Sequence, residues 1–526
     1  MFDIIIFTDS PYYGKARGHG AHRIASHVRE QGFSCLVIDH IGALTFELYT
    51  KILDLAVGEN TLVVGYSSTW FTGDFYPLRN QNTLSNAFGD YKGNALDKWI
   101  EYPKTINKNL KVILGGARNH RIIKGNFDHI IVGLAENMFT DFLNSLSGRT
   151  EPKEFDHVID YDNEAKHSSW DFRTSTTLYN EFDLIQSHEP LTLELARGCK
   201  FKCKFCTYPL IGKKNIDDYL RRPECIKREL MDNYEKWGTT RYYIVDDTFN
   251  DSVEKVQMML DITNSLPFKP EYWAFSRLDL LISFPETIPM LRDMGLKQTY
   301  IGIETFNEAA GKAVGKGLSR ERKVKGLEEL QRIWKDEVNI QSGFIVGLPH
   351  ESQDSLKETV DYLTKPGCPI HAAYMIPLFL TGPNPNRHLE FTSIFDREYF
   401  KYGYSFPDPE SPHYWEKNDD ADIYNLTQAI EIAERHNSQL PKTLVRHFSY
   451  SEVLDYPKYD GLEKASLSAQ EYETARFDLP TILNNQNQIY KKYFIPLVNK
   501  LEEARNLNWR TSPEEFNNLI TSLNDN

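Results

Sequence analysis

The chain has 526 residues, a formal net charge of −14 from 74 acidic and 60 basic residues, a 13% aromatic share and six cysteines. That length allows about three domains with ample core, and the acidic excess argues against broad electrostatic capture of nucleic acid. No apolar run reaches membrane-spanning length and Met1–Asp9 carries no basic leader, so a soluble cytoplasmic protein with reduced thiols is expected.

Residues 1–147 alternate between short apolar strands and helical stripes. Strands are expected at Asp3–Phe7, Phe33–Ile38, Thr61–Tyr66, Leu110–Leu114 and His129–Val132. Ile24 and Val28 mark a helix ending near Gly32, Phe46–Val57 a second, and Met138, Phe139, Phe142, Leu143 and Leu146 a third. Five strands with helical crossovers imply an α/β, Rossmann-like doubly wound parallel sheet. Glycines recur where strands end: Gly18 to Gly32 after the first, Gly65-Tyr66-Ser67 after the third, Gly115-Gly116 after the fourth, and Gly133-Leu134-Ala135-Glu136 after the fifth. A glycine there lets backbone approach a large flat ligand. These landmarks resemble a cobalamin-binding domain, which makes Ser67, Gly115, Gly116 and Glu136 candidate contacts. The sequence departs from that family in lacking Asp-x-His-x-x-Gly after the first strand, since His19 and His22 have other spacings. Cobalamin held without a protein axial ligand, and a degenerate domain used for packing or substrate capture, are both open readings.

Residues 148–190 are charged and weakly periodic, which reads as a linker draped over the surface. Leu191–Leu195 then alternates like a strand, Arg197-Gly198 breaks it, and Cys199, Cys203 and Cys206 follow within eight residues. So tight a group is no disulfide framework. Three thiolates on one loop suit a metal centre, and a closed site wants four protein ligands. A zinc knuckle completed by a distant His is the rival reading. The C-x3-C-x2-C spacing, with Phe205 before the last Cys and Arg197-Gly198 before the first, resembles the radical S-adenosylmethionine (SAM) enzymes. The resemblance implies a 4Fe–4S cluster on Cys199, Cys203 and Cys206 with SAM on the open iron, and Phe205 and Tyr208 flanking cluster and adenine. Lys200, Lys202, Lys204, Lys213 and Lys214 surround the loop, either to attract an anionic substrate or as a solvated offset to the cluster's charge.

Further strands are expected at Thr192–Leu195, Arg241–Val245, Glu271–Phe275, Gln298–Ile303, Asn339–Val346 and Ala372–Pro377, with helical stripes between them. Six β/α units across 191–380 fit the partial (β/α)6 barrel of that family. By the same resemblance Asp246, Ser276 and Glu304 close strands two to four toward SAM, and Gly343 and Ile345 belong to a Gly-x-Ile-x-Gly adenine segment. The plainer alternatives are helix capping by Asp246 and Asp247, an Arg277–Asp279 pair, and glycines that only relieve crowding. Cys225 and Cys368 have no partner at cluster spacing and are expected as buried thiols. Residues 381–526 turn to Pro- and aromatic-rich loops and then helices, with stripes at Ile423–Ile432 and Ile489–Leu501, expected to close the barrel mouth against substrate.

The resemblance implies reductive cleavage of SAM to a 5′-deoxyadenosyl radical, supplied by a flavodoxin- or ferredoxin-type electron donor. With cobalamin, methyl transfer is the commonest outcome. A cobalamin-free rearrangement or cyclisation enzyme and a non-catalytic iron–sulfur electron-transfer or binding protein are the alternatives. A methylthiotransferase is disfavoured, because Cys35 stands alone in the N-terminal third where that branch carries three cysteines. Neither a catalytic acid or base nor a substrate is named by any motif.

Overall fold

Strands Ile4–Phe7 (β1) and Cys35–Ile38 (β2) are buried at every position, as uniformly apolar strands covered by helices on both faces must be. In the computed structural model, which describes residues 1–8, 17–41, 44–67, 95–116, 125–133, 135–160, 171–206, 219–380, 382, 393–408, 414–418, 422–423, 425–442, 467–468 and 489–506, they belong to a parallel six-stranded sheet. Its other strands are Val63–Ser67 (β3), Lys111–Gly115 (β4), His129–Val132 (β5) and Val158–Asp160 (β6), in the order β2-β1-β3-β4-β5-β6. Helices His19–Glu30 (α1), Phe46–Ala56 (α2), Ala95–Ile106 (α3) and Glu136–Leu146 (α4) lie between the strands in sequence. The order reverses at β1, whose neighbours are β2 and β3, and such a reversal opens a crevice at the strands' C-terminal ends. The sequence reading supplied five of the six strands. The sixth comes from the expected linker, where Val158–Asp160 pairs with β5.

The second sheet is also parallel and six-stranded, with strands in strict chain order: Leu191–Leu193 (β7), Arg241–Ile244 (β8), Glu271–Ser276 (β9), Leu296–Ile301 (β10), Asn339–Val346 (β11) and Ala372–Pro377 (β12). Sequential parallel order is what repeated β/α units give when each crossover takes the same hand. The sheet's edges, β7 and β12, do not pair with each other, so it is a partial barrel. Helices between the strands bury one face. Among them are Pro223–Trp237 (α5), Val253–Asn264 (α6), Arg320–Trp334 (α7) and Gln353–Leu363 (α8), each presenting an apolar stripe to one continuous core.

Residues 171–190 are not a draped linker. Thr176, Thr177, Tyr179, Phe182, Asp183 and Glu189 are buried and bind both sheets' helices. Ser26 of α1 donates to the Thr176 carbonyl, and Glu229 of α5 accepts from the Thr177 N–H at 2.7 Å. Arg17 anchors the junction. Its guanidinium donates to both oxygens of Glu189 at 2.6 and 3.0 Å and to Asp39 at 3.0 Å, all with fully buried side chains. Such bidentate, charge-assisted bonds fix orientation as well as distance.

The C-terminal region divides. Trp415 donates to the Leu378 carbonyl at 2.9 Å and Tyr404 to the Gly347 carbonyl at 2.8 Å, which packs this stretch over the β11–β12 edge. Helix Leu426–Asn437 (α9) covers β12, and its Asn437 side chain bonds both the N–H and the carbonyl of Met375, closing an edge strand. Helix Ile495–Asn506 (α10) departs from expectation. Tyr493, Phe494, Leu497, Val498 and Leu501 enter the N-terminal core beside α2, and the Tyr493 hydroxyl accepts from the Asp39 N–H at 2.9 Å. Cys225 and Cys368 are half-buried rather than buried; the Cys225 thiol donates to the Thr174 carbonyl at 3.3 Å.

Candidate active site

The thiol loop leaves the C-terminal end of β7, and its two stems pair. Ala196 bridges Leu220, Arg197 donates its N–H to the Tyr219 carbonyl at 3.0 Å, and Arg221 to that of Leu195 at 2.8 Å. Gly198 turns the chain with a φ of +89°, which a side chain resists. Cys199 follows, buried, its Sγ 3.6 Å from the Thr248 hydroxyl; burial pushes this thiol's pKa up. Cys203 Sγ accepts from Arg277 Nη1 at 3.2 Å, and the Cys206 N–H closes a turn onto the Cys203 carbonyl at 3.0 Å. The loop thus gathers three thiols at one strand end, yet among the described residues no three His, Cys, Asp or Glu side chains form a metal-holding group. The donor set fits an iron–sulfur cluster in residue type and in sequence spacing; the Cys199 and Cys203 thiols meet separate partners, Thr248 and Arg277.

Supports surround the loop. Arg277 stacks over Phe201 at 4.0 Å and forks onto Asp279 at 3.0 and 2.8 Å, so its structural pairing and its reach to Cys203 coexist. Phe205 packs against the barrel core, and Tyr208 lies outside the described residues. Asp246 is placed differently from the sequence reading. Its Oδ1 accepts from the Leu195 and Ala196 N–H groups at 2.8 and 3.0 Å, and its Oδ2 meets Lys255 Nζ at 2.6 Å. With both oxygens engaged below the surface, Asp246 props the loop's first stem. It does not cap α6 either, because Ser252 does.

At the next strand ends, Ser276 is buried and accepts from the Thr299 hydroxyl at 2.8 Å. Glu304 adopts a left-handed φ of +66°, donates its N–H to the Gly343 carbonyl at 3.2 Å and accepts from the Ile345 N–H at 2.9 Å. Its carboxylate meets Lys316 at 2.7 Å. The two segments read separately in sequence, Gly302–Glu304 and Gly343–Gly347, are therefore brought together at the barrel mouth. Ile345 is 5% exposed between them.

The N-terminal sheet carries a cavity of about 200 Å³ at the C-terminal ends of its central strands. Ser67, Gly115, Gly116 and Glu136, all four candidates, line it, joined by Arg23 and Arg197. A Cβ added at Gly115 would meet nothing within 4 Å, so a flat group can approach the backbone there. The residues suit a corrin's edge, while the volume is below the ~300–1,000 Å³ usual for cofactor sites, enough for part of such a group. His19 and His22 are held elsewhere. His19 meets Thr192 and Glu194 at 3.1 and 3.3 Å, and His22 meets Asp39 at 3.0 Å.

Residues 193–363 match the model of the Radical SAM superfamily. The chain carries a radical SAM domain. It is 24% identical over 280 residues to bacteriochlorophyllide d C-8(2)-methyltransferase of Chlorobaculum tepidum, covering 48% of this chain and 57% of that one. Against the ribosomal protein uS12 methylthiotransferase RimO of a Hydrogenobaculum species it is 23% identical over 263 residues, covering 47% of this chain and 57% of the relative. It thus spans under two thirds of these relatives. Among solved structures, the cobalamin-dependent SAM radical enzyme OxsB with aqua-cobalamin bound aligns over 88% of this chain and 62% of that one, with a TM-score of 0.50 and 16% identity, a likeness of fold.

Three residues that serve the radical SAM domain's thiol loop escaped the sequence reading in that role. Lys255, fully buried, reaches from α6 to Asp246, to Asp251 at 3.6 Å and to the Thr248 carbonyl at 3.1 Å, tying three loop supports together. Arg197 meets Glu194 at 2.8 Å and Glu136 at 2.5 Å, and these carboxylates hold its proton above the usual range against burial. Thr248 touches Cys199. Arg197 lies in the Arg-Gly that precedes the first thiol and Thr248 directly follows Asp246 and Asp247; Lys255 carried no signal beyond being a lysine on the buried side of an amphipathic helix.

Proposed function

We propose that this chain is a cobalamin-dependent radical SAM enzyme that transfers a methyl group to, or otherwise modifies by radical chemistry, a substrate with an unactivated carbon. The observation that carries the reading is the junction of two sites. A three-thiol loop at the end of β7 and a glycine-floored cavity at the ends of β3–β5 share one residue, Arg197. In this reading Cys199, Cys203 and Cys206 ligate a 4Fe–4S cluster, which supplies the electron that cleaves SAM to a 5′-deoxyadenosyl radical. Phe205 and Tyr208 flank it, and Ser276, Glu304, Gly343 and Ile345 line the SAM side. Asp246 supports the loop from behind. Ser67, Gly115, Gly116 and Glu136 border the cobalamin, without an axial His. The chain's part is to position these groups and exclude water. A small electron-transfer protein of the flavodoxin or ferredoxin type is the expected reductant. A cytoplasmic setting accords with the thiol chemistry and with the fact that, among the described residues, no helix is long and apolar enough to cross a membrane.

The test is anaerobic reconstitution with iron, sulfide, SAM and hydroxocobalamin, followed by mass spectrometry for 5′-deoxyadenosine, S-adenosylhomocysteine and methylated products from a cell extract. 5′-Deoxyadenosine without any corrinoid uptake would leave a cobalamin-free radical SAM enzyme. Absence of 5′-deoxyadenosine from a reduced, cluster-loaded protein would leave an electron-transfer or binding protein. A methylthiotransferase is disfavoured by Cys35, the single cysteine before residue 199, which lies buried in β2.

A further inference from the structure

Glu136 opens α4 from inside the cavity, at 2% exposure, where the helix's N-terminal dipole favours a carboxylate. One oxygen, Oε1, holds Arg197 at 2.5 Å. The other, Oε2, is buried and has no hydrogen-bond partner among the described residues. A buried carboxylate oxygen left so is costly unless a bound group donates to it. On the far side, Arg197 is followed at once by Gly198, the left-handed turn, and by Cys199. A change in the Glu136–Arg197 pair therefore acts on the backbone that sets the first thiol.

We propose that Glu136 senses the occupant of the N-terminal cavity: Oε2 accepts an N–H from an amide at the rim of a flat ligand, and Oε1, through Arg197, sets the position of the thiol loop. Glu136 is thus a binding residue for the cavity and a positioning residue for the cluster. The proposal rests on the cobalamin reading, since a corrin ring presents carboxamide groups around its rim. Because coupling between sites is reciprocal, a loaded cluster must change cobalamin affinity as much as cobalamin changes the loop.

The experiment is an absorption titration of the full chain with hydroxocobalamin, in cluster-free and cluster-loaded forms, with electron paramagnetic resonance of the reduced cluster at each end point. For the wild type, the two affinities differ at least about fivefold, and the cluster signal shifts on cobalamin addition. In Glu136→Gln, affinity falls about tenfold or more and the two forms bind alike. Gly115→Leu, which fills the cavity floor without touching the ion pair, loses cobalamin and keeps the cobalamin-free cluster signal. Equal wild-type affinities overturn the coupling even if Glu136→Gln fails to fold, and an unchanged Glu136→Gln titration overturns the contact. A wild type that cleaves SAM but takes up no hydroxocobalamin removes the cobalamin reading itself, and this inference with it.

Discussion

Gly343 offers a sharp test, because two different jobs have been read into it. As part of an adenine-binding segment it serves SAM; as a packing device it makes room for a neighbour. A Cβ built at Gly343 would lie 2.0 Å from the Tyr300 hydroxyl, 3.2 Å from its Cζ and 3.4 Å from Tyr374 Cε2. Tyr300 cannot swing away freely. Its ring is wedged between Phe275 and Tyr374, at centroid distances of 5.4 and 6.1 Å, and its hydroxyl bonds that of Tyr374 at 3.2 Å. Gly343→Ala should therefore cost about 1–3 kcal/mol, the range for overpacking, lowering the barrel's melting transition by roughly 2–10 °C. Tyr300→Phe removes the atom that clashes and leaves the next contact at 3.2 Å, tight but tolerable. The double variant should then melt above Gly343→Ala alone, with a non-additive term of about 1–2 kcal/mol. The assay is calorimetry or near-ultraviolet circular dichroism on anaerobic protein without SAM. Additive losses, or a Gly343→Ala protein as stable as the wild type, would refute the packing argument. In the second case, a selective loss of SAM affinity would instead assign Gly343 to the ligand.

Lys255→Met strands Asp246 without its 2.6 Å partner under the thiol loop, and breaking a buried pair costs about 3–5 kcal/mol; iron content after reconstitution should fall with stability, and full cluster loading would contradict the support role. Tyr493→Phe removes the hydroxyl that accepts from the Asp39 N–H, costing about 1–3 kcal/mol in the N-terminal domain, which denaturant melts would reveal, whereas an effect confined to the barrel would misplace the C-terminal helix. Burial raises the Glu351 carboxyl from 4.5 to about 7 against the weaker help of Ser355 and Thr305. The folded state therefore keeps a proton the unfolded chain gives up, so this group's contribution is full below pH 4.5 and is lost as pH rises through 7, about 3 kcal/mol in all. Melts at pH 5 and 8 should show that loss in the wild type relative to Glu351→Gln; equal pH dependence in both would exclude it.

What the sequence disclosed followed physical range. Strands β8 to β12 were legible within two residues at their ends, because each is an apolar run read against its own neighbours. The candidates Ser67, Gly115, Gly116 and Glu136, picked out by the resemblance, share one cavity because the ends of neighbouring parallel strands open onto a common crevice. What stayed hidden was set by partners far along the chain. Val158–Asp160 has only three residues of strand, and β5 alone makes it one. Arg17 binds Glu189 across 172 positions, which no local periodicity records. Asp246 was assigned to SAM by the family resemblance of its strand-end position. The residues that occupy it come from the loop stem just past β7 (Leu195 and Ala196) and from α6 (Lys255).

Partners far apart along the chain also join the two sheets. Four cations on or before the loop stems and α1, namely Arg17, Arg23, Arg197 and Arg221, are buried, and each reaches a group on another segment: Glu189, the Thr176 carbonyl, Glu136 and Glu229. A buried guanidinium is tolerated only with its acceptors in place. Separating the N-terminal sheet from the barrel would expose or strand Arg17, Arg23 and Arg197 together, a cost that a greasy interface of equal area would not concentrate at so few points. The junction is thus rigid at the charges and adjustable at Gly198, the one left-handed glycine between Arg197 and the first thiol. An interface built this way ties the N-terminal cavity to the stem of the thiol loop through Arg197 and leaves Gly198 as the turn between that tie and Cys199.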